Sequence, residues 1–272
     1  LLNLQQAIFN SPATMENYAL ITGASKGIGK SIALLLAQKG YSLLLVARSQ
    51  TELQQLSAAI QQEYKVEARY LTIDLSVPGA AKQVADWYTG LAVPLSILVN
   101  NAGYGLWGHF DGLGLADQMN MLNLNINAVV ELTHYLLPAL KSQQQSYILN
   151  VASTAAYQAV PTLALYSASK AFILSFSRAI RYELKDTPVS VSCLCPGPTD
   201  TGFVARAGMD AIAHIAEKFN MPPLKVAEIG LKGLFNKKPE IITGFLNRMM
   251  AFGSRHFSKA LVEKVSAGLY KV

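Results

Sequence analysis

The 272-residue chain is 51% apolar and 15% charged, with a formal charge of +6. That composition excludes a disordered chain, and no stretch approaches the roughly 18 uninterrupted apolar residues of a membrane-spanning helix. No DNA- or RNA-binding motif accompanies the positive charge, which argues against a nucleic-acid partner.

Residues 1–14 lack the basic start and apolar centre of a secretory signal. They precede Met15 and are read as a tag remnant or upstream extension, leaving residues 15–272 as one domain with a helical C-terminal extension. Tyr18 to Thr22 reads as a strand, Ile28 to Gln38 as a helix ending near Gly40, and Ser42 to Ala47 as a strand buried on both faces. Gln50 to Tyr64 is helical, Val66 to Ile73 a strand closing on Asp74, and Pro78 to Tyr88 a helix with proline in its first turn. Leu95 to Val99 is a buried strand, followed by a loop rich in glycine and aromatics, Gly103 to Gly114. Long helices are expected over Asp117 to Leu140 and Leu163 to Lys185, separated by a strand at Ser146 to Val151. Val189 to Leu194 is a strand running into Pro196-Gly197-Pro198. The tail holds further helices and a short strand at Glu240 to Thr243. This alternation predicts an α/β fold, a three-layer doubly wound parallel sheet with helices on both faces. Ligands of such sheets bind beyond the carboxyl ends of the strands, where the motifs below fall.

Thr22-Gly23-Ala24-Ser25-Lys26-Gly27-Ile28-Gly29 joins the first strand to the first helix. Glycines there allow a tight turn and close approach of backbone to phosphate, and the helix N-terminus offers free N–H groups to a pyrophosphate. Gly29-Lys30-Ser31 ends like a triphosphatase loop, but the glycine that motif needs would stand at position 24, which is Ala24. Asp or Glu at the end of the second strand would hold the ribose diol of NAD. This chain instead has Ala47-Arg48, and Arg48 with Lys26 can pair with a 2′-phosphate. The expected cofactor is NADP(H).

Tyr166 and Lys170 stand four residues apart, on one helical face. The ammonium stabilises the phenolate, which suits the phenol for proton exchange near neutral pH. Ser153, at the end of its strand, can hydrogen-bond a substrate oxygen. Asn125 falls opposite Asn120, Asn123 and Asn127 at about 100° per residue, among Met121, Val129, Leu132 and Leu136. It is read as a buried amide linking, through backbone or water, towards Lys170, the alternative being a core asparagine satisfied by neighbouring backbone.

These residues resemble the short-chain dehydrogenase/reductase family. The match comprises Thr22-Gly23-x3-Gly27-x-Gly29, Asp74, Asn100-Asn101-Ala102-Gly103, Asn125, Ser153, Tyr166-x3-Lys170 and Pro196-Gly197, over Met15 to about Phe203. The resemblance implies a Rossmann-type fold and a catalytic set of Asn125, Ser153, Tyr166 and Lys170. It also implies that Gly23, Ser25, Lys26, Gly27, Ile28 and Gly29 cradle the cofactor, with Asp74 and Leu75 by the adenine. Asn101, Ala102 and Gly103 line the groove, and Lys170 also holds the nicotinamide ribose. Pro196 and Gly197 complete the set, with Thr199 and Thr201 near the carboxamide and phosphates. Lys238 to Arg248 is similar to a bacterial DltE-type branch of unassigned specificity. The implied reaction is NADPH-dependent reduction of a carbonyl, or the reverse oxidation of an alcohol. The alternative is a non-catalytic NADP(H)-binding sensor.

Tyr104, Trp107, Phe110, Phe203 and Phe219 suggest either an apolar substrate pocket in the loops Tyr104 to Phe110 and Gly202 to Pro222 or core packing under those loops. The resemblance implies a homodimer or homotetramer through the two long helices. From Glu217 onward there are ten Lys/Arg and four acidic residues. That charge is read as a solvated helical surface, with anionic cofactors, acidic partners or membrane headgroups as the alternatives. Cys193 and Cys195, one residue apart, are too close for an unstrained disulfide and lack companions for a zinc site. They are expected as free buried thiols, which fits the cytoplasm.

Overall fold

The computed structural model describes residues 17–200, 207–208 and 220–269. Seven strands are formed among these residues: β1 Tyr18–Thr22, β2 Ser42–Ala47, β3 Ala68–Thr72, β4 Leu95–Asn100, β5 Ser146–Val151, β6 Val189–Cys195 and β7 Glu240–Ile242. They make one sheet in the order β3-β2-β1-β4-β5-β6-β7, and every neighbouring pair is parallel. The order reverses between β1 and β4, which opens a crevice at their carboxyl ends.

Among the described residues nine α-helices surround the sheet: α1 Gly27–Gln38, α2 Gln50–Tyr64, α3 Ala80–Leu91, α4 Leu115–Leu122, α5 Ala128–Lys141, α6 Ala164–Glu183, α7 Pro223–Phe235, α8 Phe245–His256 and α9 Lys259–Leu269. The period-two alternation of strand side chains divides the core. Ala19, Ile21, Leu43 and Leu45 pack with α1, α2 and α7. Leu20, Leu44 and Val46 pack with α3, α4, α5 and part of α6. Both faces are covered, so β1, β2 and β4 are buried throughout and read as continuous apolar runs. The Rossmann-type arrangement is as expected.

Three departures from the expected elements have a local cause. β3 begins at Ala68 because Lys65 takes a left-handed φ of 58°, which closes α2 and delays the strand. α3 begins at Ala80 because Gly79 caps it at φ 82°, leaving Pro78 outside. The helix expected over Asp117 to Leu140 contains a π turn, Asn123–Asn127, between α4 and α5. Across it Asn120 and Asn127 are exposed and Asn123 half-buried, while Asn125 is buried on the opposite side, as expected. Asn127 donates to Asn123 at 2.9 Å on the outside, whereas Asn120 donates to Ser76 Oγ at 2.9 Å. No helix among the described residues is long and apolar enough to cross a membrane.

Candidate active site

The glycine turn folds against its own helix. Gly23 has φ +64° and Gly27 has φ +55°, a region that disfavours any side chain. A Cβ at Gly29 would stand 2.3 Å from the Gly23 carbonyl oxygen and 2.5 Å from Asn101 Nδ2. The N-cap of α1 is Lys26, extended and without a side-chain cap bond. The first amides of α1 are thus free of a side-chain acceptor, as an anion-binding helix start requires. Ser25 and Ile28 are half-buried in the turn. Lys30 and Ser31 lie inside α1, where Ser31 Oγ donates to the Gly27 carbonyl at 3.0 Å. This agrees with rejecting the triphosphatase reading.

Thr22 ties this turn to the loop after β4. Its Oγ1 donates to the Val99 carbonyl at 3.3 Å and accepts from the amides of Asn101 and Ala102, each at 3.0 Å. Asn101 Nδ2 donates to the carbonyls of Thr22 and Gly23 at 2.9 and 3.2 Å. Its amide therefore braces the cradle. Below it, Asn100 donates to Thr133 and Asn150, and Asn150 to Ser177, in a buried polar ladder joining β4 and β5 to α5 and α6.

At the end of β2, Arg48 meets Asp74 at 3.4 Å with both side chains well exposed, and Lys26 meets Glu52 at 3.2 Å. Asp74 Oδ1 accepts from Ser76 N at 2.9 Å and Ser76 Oγ at 2.7 Å. Burial pushes the Asp74 carboxyl up, but the Ser76 hydrogen bonds and the Arg48 charge outweigh it and hold the group below its ordinary value. Leu75 is buried in the core, so only its backbone can face the crevice.

Ser153 lies just beyond β5 and caps the 3-10 turn Thr154–Tyr157, its Oγ accepting from Ala155 N at 3.1 Å. Tyr166 and Lys170 fall in the first turns of α6, which packs against that 3-10 turn. Lys170 is 5% exposed, and its Nζ donates to the Val151 carbonyl at 3.0 Å. The ammonium sits 5.8 Å from the Tyr166 ring centre. Burial pulls Lys170 down to about 8, partly opposed by Cys193 and Cys195. Asn125, 1% exposed in the π turn, accepts from Tyr104 N at 3.1 Å and donates to Tyr104 O at 2.9 Å and Ser169 Oγ at 3.1 Å. A Cβ on Gly103 would stand 3.0 Å from Asn125 Oδ1 and 3.3 Å from Lys170 Nζ. Asn125, Gly103 and Lys170 thus converge, with the Asn125 amide satisfied by the Tyr104 backbone and Ser169.

Pro196 accepts from Thr154 N at 2.8 Å, and Thr199 Oγ1 donates to the Gly197 carbonyl at 2.9 Å. Thr201, Phe203 and Phe219 lie outside the described residues. Tyr104 follows the core alternative: it is buried, and its hydroxyl donates to Asn120 Oδ1 at 2.8 Å. Phe110 is exposed and Trp107 half-buried. Three contributors escaped the sequence reading: Thr22 as a clamp, Ser169 beneath Asn125, and Tyr104 as a brace. A threonine ending a buried strand just before a glycine turn was the available signal for Thr22. Cys193 and Cys195 are free and buried, with sulfurs 3.9 Å apart.

Residues 17–211 match the family model described as short chain dehydrogenase. The chain belongs to the short-chain dehydrogenase family. It is 34% identical over 188 residues to the very-long-chain 3-oxoacyl-CoA reductase-B of Danio rerio, covering 68% of this chain and 60% of that protein. This short-chain dehydrogenase therefore spans less than two thirds of that relative's length. It is 30% identical over 255 residues to human 17-beta-hydroxysteroid dehydrogenase type 3, covering 92% of this chain and 81% of that one. Among solved structures, a short-chain dehydrogenase from Sphingobium yanoikuyae in complex with NADPH is 28% identical, with a TM-score of 0.78. That match covers 89% of this chain and 93% of the other.

Proposed function

We propose that this chain is an NADPH-dependent carbonyl reductase, reversible as an alcohol dehydrogenase. The observation that carries the reading is a buried ammonium, Lys170 Nζ, 5.8 Å from the Tyr166 ring centre. Asn125 and the glycine loop after β4 stand beside it. A reduced nicotinamide, when bound, supplies the hydride that the carbonyl carbon accepts. Tyr166 gives its phenolic proton to the substrate oxygen and recovers one in the reverse direction. Ser153 donates a hydrogen bond to the same oxygen and holds it for transfer. The Lys170 ammonium stabilises the phenolate left behind, and Asn125 fixes the Gly103 loop.

The residues present fit the cofactor. The uncapped start of α1 and the Gly23–Gly29 turn would hold its pyrophosphate. Asp74, the Leu75 backbone, Asn101, Ala102, Gly103, Pro196, Gly197 and Thr199 would line its groove. Arg48 and Lys26 would take the 2′-phosphate. Their present pairs are solvent-exposed, and such pairs contribute about 0–1 kcal/mol, so a phosphate can displace Asp74 and Glu52. The NADPH in the Sphingobium structure supports the same choice.

The two curated relatives are named for 3-oxoacyl-CoA and 17-beta-hydroxysteroid chemistry. We infer a similarly apolar carbonyl substrate here. A small cavity lined by Leu106, Phe110, Leu113, Met121 and Leu165, next to Tyr166 in sequence, supports this. Exposed Tyr135 on α5 and Phe172 and Tyr182 on α6 support a homodimer or homotetramer through these helices. The free thiols support a cytoplasmic setting.

The test is NADPH oxidation, followed by absorbance, against long-chain 3-oxoacyl thioesters, cyclic ketones and small ketones. Carbonyl-dependent oxidation is expected. Tight NADPH binding with no turnover of any carbonyl would favour the sensor instead.

A further inference from the structure

The last two helices present their apolar faces to solvent. α8 turns Asn247 and Ala251 inward: Ala251 is buried, and Asn247 Nδ2 donates to the Thr243 carbonyl at 2.7 Å. Outward it shows Phe245, Leu246, Met249, Met250 and Phe252, with Phe245 70% and Phe252 64% exposed. Phe245, Met249 and Phe252 follow the i, i+4, i+7 spacing of one stripe, and Leu246 and Met250 flank it. α9 likewise buries Ser266, which accepts from Gln158 Nε2 at 2.8 Å, and exposes Leu261 and Val265. Eight of the 16 large apolar side chains exposed among the described residues lie between Phe245 and Val265. So concentrated an apolar surface marks a contact.

Charge identifies the occupant. Residues 244–272 carry five Lys/Arg and one acidic residue, Glu263. Arg248, His256, Lys259 and Lys264 are exposed among the apolar groups. A two-fold contact between copies would set this cationic patch against itself. An anionic bilayer satisfies both properties: its acyl boundary takes the Phe, Leu and Met side chains, and its headgroups take the Lys and Arg.

We propose that α8 and α9 form a docking surface for an anionic lipid bilayer. The inner side of α8 places Asn247 where a Cβ on Gly197 would stand, and α8 packs on the 3-10 turn after Ser153. Docking therefore brings the mouth of the site to the lipid surface. Docking does not rest on the reductase reading, because vesicle binding is read without turnover.

The full chain is sedimented with vesicles of phosphatidylcholine alone and of phosphatidylcholine mixed with phosphatidylglycerol. Binding to the mixed vesicles is expected, weaker by at least about tenfold on phosphatidylcholine alone or in high salt. The double variant Met249→Glu/Phe252→Glu loses at least about tenfold in vesicle affinity while its circular dichroism and NADPH affinity stay unchanged. Leu261→Glu/Val265→Glu provides an independent second lesion with the same expected direction. Failure to sediment with either vesicle overturns the proposal, as does full binding by both double variants. Self-association that the first double variant abolishes, without any lipid binding, assigns the face to a second copy and overturns it equally.

Discussion

Asn125 and Tyr104 hold each other by two hydrogen bonds: the side-chain oxygen accepts from the Tyr104 amide at 3.1 Å and the side-chain nitrogen donates to its carbonyl at 2.9 Å. The same nitrogen donates to Ser169 Oγ at 3.1 Å, which donates onward to the Tyr166 carbonyl at 2.7 Å. One amide thus joins the loop after β4, the π turn and the start of α6. The π turn aims it there.

Replacing Asn125 with Leu leaves a buried N–H and C=O of Tyr104 without these partners. Leaving such groups unsatisfied costs about 1–3 kcal/mol, so thermal or urea unfolding should show a loss of that size. Carbonyl turnover should fall further than NADPH affinity. Asn127→Leu, on the exposed side of the same turn, should stay within about 0.5 kcal/mol of the parent.

Lys170 makes a prediction about alkaline stability. Its folded value, about 8, lies below the ordinary 10.5. Between these values the unfolded chain binds more protons than the folded one, so this group's contribution to stability rises with pH. At 1.36 kcal/mol per unit, the rise approaches about 3 kcal/mol in the cofactor-free protein. Comparing urea midpoints of the parent and Lys170→Met at pH 7 and above pH 10 isolates it. The parent should gain on the variant as pH rises; a constant difference contradicts the assignment. Turnover should decline above about pH 8 as the ammonium that supports the phenolate is lost.

The sheet was legible because its strands are buried on both faces and alternate with amphipathic helices; β2 and β4 match the apolar runs closely. The placement of Tyr166 and Lys170 on α6 and of Ser153 beyond β5 was legible because spacing puts the first two on one helical face and the third at a strand end. Less legible was anything set by tertiary contact. The π turn has no signature at 100° periodicity, so the break between α4 and α5 was not visible. Tyr104 stayed open between pocket and core because its hydroxyl partner, Asn120, lies in a different element. The outward apolar face of α8 was hidden because periodicity shows a stripe but not which way it points.

Arg48 bears on the choice of nucleotide. Arg48→Ser removes a cation from the proposed 2′-phosphate position and frees Asp74. A charge-assisted bond contributes about 1.5–3 kcal/mol, so NADPH affinity should drop about ten- to a hundredfold. NADH affinity should change little or improve. Fluorescence titration with both nucleotides measures the ratio, and an equal loss for both would assign Arg48 a structural role only.

The most direct measurement is single-turnover NADPH oxidation by the parent and by Tyr166→Phe with one reducible ketone, alongside nucleotide affinity for each. Proton transfer from a positioned side chain is worth about 10²–10⁴ in rate. A loss in that range is expected, with NADPH affinity within about threefold of the parent. A phenylalanine variant that reduces the ketone at the parental rate would contradict it.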